Sequence, residues 1–205
     1  MSKKDAGAIV SGAGWIGSLA QGIVKGLRSK GISDEEIRKL VSDEVETPIG
    51  KIVDVLAETL RKAANVFSVL VDYGRSVVDL VAAGKYDWKN DNVNDNNFPV
   101  SRRGTDSVEV HLVHFNRMIS TQDALNELDR QGLKPADLHT LLSLGAKYPD
   151  LQREFPIVAL GSVWQYRLGI RYVPCLGRSV SERGLSLYWF GLDWGEVCRL
   201  AAVRK

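Results

Sequence analysis

The chain has 205 residues, 44% of them hydrophobic and 25% charged, enough apolar material for a buried core in one domain or two small ones. Its 27 Lys and Arg against 25 Asp and Glu leave a net charge of +2, which excludes an overall field drawing the molecule onto nucleic acid and leaves only a local basic patch as a route to one. Two cysteines, Cys175 and Cys198, exclude a disulfide scaffold and a four-cysteine metal site and fit a reducing compartment.

The first stretch, "AIVSGAGWIG", places Gly12, Gly14 and Gly17 at the G-x-G-x-x-G spacing of a dinucleotide site. That site needs a second strand ending in an acidic residue about 20 positions on. Glu35 and Glu36 stand there inside a capped helix, so the βαβ unit is not completed and no nucleotide cofactor is expected. Lys3 and Lys4 precede an apolar run broken by glycines and serines, and no segment reaches the roughly 18 apolar residues of a membrane span. A cytoplasmic protein without a membrane span is expected.

Residues 1 to 84 read as helical, 85 to 106 as a polar connector and 107 to 205 as a mixed α/β domain. Ser33 and Glu36 form a capping box that starts a helix near Asp34. After Pro48, apolar residues at Ile49, Ile52, Val53, Leu56, Leu60, Ala63, Ala64 and Phe67 follow the three-and-four spacing of one helical stripe. The connector "KYDWKNDNVNDNNFPV" is rich in Asn and Asp, which bond locally to the backbone and favour turns. Tyr86, Trp88 and Phe98 are expected to pin it to a core. Its oxygen ligands suit calcium in kind, but the D-x-D-x-D-G spacing is missing and no metal is expected.

In "SVEVHLVHFNRM" strict alternation puts Val108, Val110 and Leu112 on one face of a strand and Glu109, His111 and Val113 on the other. His111 and His114, three apart, then face opposite ways and cannot share an ion. His139, on a helix, is expected to be an ordinary hydrogen-bonded histidine. Ser120 and Asp123 cap a helix that Gly132 stops, and Pro135 is expected in the first turn of the next. The segments "FPIVALGSVW", "IRYVPCL", "LSLYWF" and "CRLAAVR" read as strands, with Trp164 in the core.

The phrases "ALNELDRQGLKPADLHTLLSLG", "IVALGSVW" and "LYWFGLDWGEVCRLAAVR", with Ala124, Gly132, Pro135, Leu138, Trp164 and Arg199 in comparable order, resemble the C-type-lectin-like fold. The bacterial versions it resembles are formylglycine-generating-enzyme-like domains and the variable proteins of diversity-generating retroelements. The resemblance covers residues 107 to 205 and implies an α+β protein: an N-terminal helical region, then a lectin-like mixed domain of short antiparallel strands. It further implies a rigid frame that displays a ligand-facing surface near its C-terminus. The Glu-Pro-Asn and Trp-Asn-Asp calcium triplets are missing, which removes the usual sugar site, and the cysteines are not the closely spaced oxidase pair.

The function expected is therefore a non-catalytic module binding a protein or small molecule, without cofactor or metal. Its site is expected among Tyr166, Arg167, Arg171, Tyr188, Trp189, Asp193, Trp194 and Glu196. Asp193, Trp194 and Glu196 are expected to project from a loop between two neighbouring strands, with Leu200 and Ala202 pointing inward. Two alternatives remain. One is a thiol enzyme using Cys175 or Cys198 with His114. The other is nucleic-acid binding through "VSRRGTD" and Arg167, Arg171, Arg178 and Arg183, against which the acidic residues spread along the chain count. Oligomeric state is left open.

Overall fold

A computed structural model describes residues 17–39, 51, 54–56, 59 and 65–205. The chain divides into two compact units, Met1–Thr59 and Leu60–Lys205. In the first, α1 covers residues 17–29 and α2 runs Asp34–Lys39. The capping box is present: Glu36 N–H donates to Ser33 Oγ (3.3 Å) and Ser33 N–H donates to the Glu36 carboxylate (3.0 Å). Helical positions at 51, 54–56 and 59 belong to α3. Gly12, Gly14 and the Pro48 helix start lie outside the described residues.

The second unit is α+β, built on a large, mostly antiparallel sheet. Its strands are β1 (Val66–Asp72), β2 (Trp88–Lys89), β3 (Thr105–Val113), β5 (Leu133–Pro135), β6 (Ile157–Val158), β7 (Trp164–Gln165), β8 (Arg171–Ser179), β9 (Glu182–Trp189) and β11 (Arg199–Arg204). The path runs β1-β3-β11-β6-β8-β9-β2, with β5 paired to β11 and β7 to β8. A separate ribbon joins β4 (Ile119–Ser120) to β10 (Asp193–Trp194).

Residues expected to be helical enter this sheet. In "VFSVLVD" Phe67, Val69 and Val71 are buried while Leu70 faces out, the period of two that defines β1. Phe67 thus ends no helical stripe, and the sheet unit takes in the last part of the region read as helical. Next, α4 (Val77–Gly84) starts where Ser76 Oγ accepts from Asp79 N–H. The connector is local turns, with Asn92 N–H donating to Asn90 Oδ1 and Asn96 N–H to Asn94 Oδ1. Val93 and Phe98 anchor it in the core, whereas Trp88 stands exposed on the edge strand β2, parallel to β9.

Alternation sends the sheet's side chains into two cores. Val110, Leu112, Leu176, Leu185 and Ala201 join α4 and α6 (Leu138–Lys147) on one face. Val113, Val173, Cys175, Leu200 and Ala202 join α5 (Thr121–Arg130) on the other. Ser120 caps α5 as expected. Pro135 ends β5 rather than starting a helix. Without an N–H it suits a strand end, and Asp137 caps α6 by accepting from Thr140 N–H (2.8 Å). A last short helix, α7 (Leu151–Glu154), follows. The segment joining β9 to β11 does not link neighbours, because β8 and β6 lie between them. Among the described residues no helix is long and apolar enough to cross a membrane.

Candidate functional site

Three rings line up where the β7, β8 and β9 strands meet the end of the sheet. Trp164 lies opposite Tyr172, and Tyr172 opposite Trp189. Directly opposed residues of antiparallel strands project to one face, so the three share it. The Trp164 and Tyr172 centroids are 5.7 Å apart, and Tyr166 extends the row 5.3 Å from Trp164. Leu176 and Leu185 continue the same face inward to the core, so the row is the point at which that apolar face reaches solvent. Trp164, expected in the core outright, is half-buried and packs against the core's rim, while Tyr166 is 45% and Trp189 50% exposed. The Trp189 indole is held against Gly191, where a Cβ would meet it at 2.7 Å.

The turn between β7 and β8 carries the remaining groups. Tyr166 N–H donates to Ile170 O at 2.7 Å and closes it, with Arg167 exposed and Leu168 at φ 60° and 99% exposed. A non-glycine residue there costs about 1–2 kcal/mol in the left-handed region. The Arg171 guanidinium lies 4.3 Å from the Phe190 ring centre, a cation–π contact on the face opposite the ring row, where Phe190 packs with Val173.

Of the expected site, Tyr166 and Trp189 therefore share one hairpin surface, with Arg167 in the turn beside Tyr166. The others do not. Tyr188 alternates to the opposite face with Val173, and the neighbouring Cys175, then burial, raise its phenol pKa. Asp193 and Glu196 are exposed on β10 and the turn after it. Trp194 does not project: it is 2% exposed in the core beneath α5. Its indole N–H donates to Thr121 Oγ1 (2.9 Å), and that hydroxyl donates to Phe190 O (2.6 Å). A large apolar ring with its one polar atom satisfied is most stable buried. No sequence signal links Trp194 to a threonine 73 positions away.

The thiols face away from catalysis. Cys175 is fully buried, its Sγ donating weakly to Leu176 O, and burial pushes its pKa up; burial raises that of half-buried Cys198 as well. A nucleophilic thiol needs the opposite shift. His114 Nε2 is engaged with Glu196 O, and His139 Nε2 with Arg75 O at 3.2 Å. Among the described residues no group of three or more His, Cys, Asp or Glu is placed to hold a metal ion. Arg183, one of the arginines considered for nucleic acid, is buried and bonded to backbone carbonyls.

One polar cluster escaped sequence reasoning. Tyr73 Oη donates to Asp137 Oδ2 (3.0 Å) and accepts from Arg102 Nη1 (2.9 Å), and its ring stacks on His139 and meets the Arg102 guanidinium 4.3 Å from its centre. It borders a concavity of about 370 Å³. Arg102 also pairs with Asp106, so the cluster's charges are met internally and it clamps the connector's end to α6. Its members lie 29 and 64 positions from Tyr73, beyond any motif. No protein-family model, curated protein or solved structure matches the chain, and the ring row with Arg167 beside it supports the functional reading through its own chemistry.

Proposed function

We propose that this protein is a non-catalytic binding module whose ligand lies across the Trp164, Tyr172 and Trp189 row, flanked by Tyr166 and Arg167. The observation that supports it is the exposure of two large aromatic side chains, Tyr166 and Trp189, beside a fully exposed Leu168 on one rigid β-hairpin surface. Aromatic rings give large contact area at low entropic cost, and clusters of them at the surface mark interaction sites. The upward shifts of both thiols favour this reading over a thiol enzyme. The C-type-lectin-like frame belongs to the same proposal. In its support, the strand, two helices and short aromatic strands follow one another in the expected order.

The test is a photo-reactive p-benzoylphenylalanine at Tyr166, whose exposure leaves room for the larger side chain, with the full chain irradiated in its native cell extract. A discrete adduct should form there. The same group at Val180, 86% exposed at the far end of the β8–β9 hairpin, should form none. Equal adducts at both positions, or none at Tyr166, contradict the proposal.

A further inference from the structure

Exposed large apolar side chains gather at one end of the sheet. Tyr166, Leu168 and Ile170 stand in the turn between β7 and β8, and Tyr188, Trp189 and Leu192 at the end of β9 beside it. Every residue from Gln165 to Arg171 is exposed, Leu168 almost entirely. The stem below pairs Trp164 with Tyr172 and Gln165 with Arg171, and Tyr166 is joined to Ile170, so Leu168 is the apex. Val180, in the turn at the far end of β8, shares the left-handed backbone and the exposure but is flanked by Ser179, Ser181 and Glu182. The apolar apex with rings beside it therefore belongs to one end of the hairpin and not to the other.

Resting on the binding surface proposed above, we infer that its ligand is the surface of a lipid bilayer, entered by the β7–β8 turn with Leu168 foremost. Two features favour lipid over a folded partner. The exposed rings lie on both faces of the hairpin, Tyr166 and Trp189 on one and Tyr188 on the other. A folded partner presses against one face, whereas a fluid leaflet closes around the whole end. The side chains are also sorted by depth. At full extension Leu168 stands at most about 7 Å beyond Tyr166 and about 14 Å beyond the Trp164–Tyr172 pair, which Trp189 adjoins. Insertion to the usual interfacial depth of about 5–10 Å puts Leu168 among acyl chains and Trp189 among head groups, the level at which amphipathic Trp and Tyr rings are stable. Arg167, next to the apex, can turn its guanidinium back to the phosphates, and Arg171 starts from the stem below. Asp193, exposed next to Leu192, opposes the two arginines, so anionic lipid tunes the binding and the apolar turn carries it.

Co-sedimentation of the full chain with phosphatidylcholine vesicles, with and without phosphatidylglycerol, tests this, with tryptophan emission read in parallel. The chain should bind both, the anionic vesicles more tightly, and its emission should shift to the blue. That shift should be lost in Trp189→Phe and kept in Trp88→Phe, since Trp88 is exposed on β2 opposite Gly184. Leu168→Asn, which suits the left-handed backbone, should weaken binding by about tenfold at an unchanged or higher melting temperature. Val180→Asn should leave binding as it is, and Arg167→Ser should cost about fivefold on the anionic vesicles. Absence of vesicle binding, undiminished binding by Leu168→Asn, or an equal loss in Val180→Asn overturns the inference. In the crosslinking experiment above, run in extract that retains its membranes, a Tyr166 adduct that adds the mass of one lipid supports it. An adduct digested by protease overturns it and leaves the binding surface intact, and absence of any adduct removes both.

Discussion

Replacing Arg183 by alanine should cost roughly 3–5 kcal/mol. The guanidinium is almost wholly buried and donates to Gly84 O (2.8 Å), Gly145 O (2.9 Å) and Gln152 Oε1 (3.1 Å). Gln152 in turn donates to Gly177 O and Gly184 O, while the Arg183 N–H donates to Asp87 Oδ2. One side chain thus ties the end of α4, the C-terminal part of α6, α7 and the β8–β9 hairpin together. Alanine removes the donors and leaves the carbonyls buried, each at about 1–3 kcal/mol before water enters. Lysine keeps the charge without the planar fork and should recover only part of the loss. Denaturant titration of the full chain measures the shift. A change below about 1 kcal/mol means the network is not structural.

Trp194→Ala should cost a similar amount, about 3–5 kcal/mol. The indole fills space among Ile119, Leu128, Val173 and Leu200, and its loss leaves a cavity and frees Thr121 Oγ1 from one partner. Trp194→Phe should retain most of the packing and lose mainly the hydrogen bond, worth about 1 kcal/mol. The melting temperature of the alanine variant should fall by about 10 °C. A fall within about 2 °C returns Trp194 to the surface, where a loop between neighbouring strands would put it.

The contrast between Trp189 and Trp194 marks the limit of what was legible in the sequence. Both lie in "LYWFGLDWGEV", five positions apart. One is half exposed because it ends β9, where the apolar face reaches solvent; the other is buried because a threonine on α5 accepts its N–H. Neither cause is local. What was local proved readable: the Ser33 and Glu36 box, the Ser120 cap and the alternation of Val108, Val110 and Leu112 all stand as their chemistry requires. Phe67 shows why local patterns also mislead. It fits the end of a helical stripe by spacing of three and four, yet it also begins the alternation of Phe67, Val69 and Val71, and pairing with β3 decides in favour of the strand. Arginine is usually a surface cation, and only the fold brings the end of α4, the C-terminal part of α6 and the Gln152 amide around Arg183.

The most direct measurement is the yield of the Tyr166 photo-adduct in the Trp189→Ser variant, with its melting temperature as the control for folding. Trp189 is half exposed and stands at the edge of the ring row, so its removal should shift melting by no more than about 2 °C while the adduct falls several-fold. An undiminished adduct in a variant that melts as far below the parent as Trp194→Ala would contradict the account, since Trp189 would then belong to the core and the ring row would not be the site.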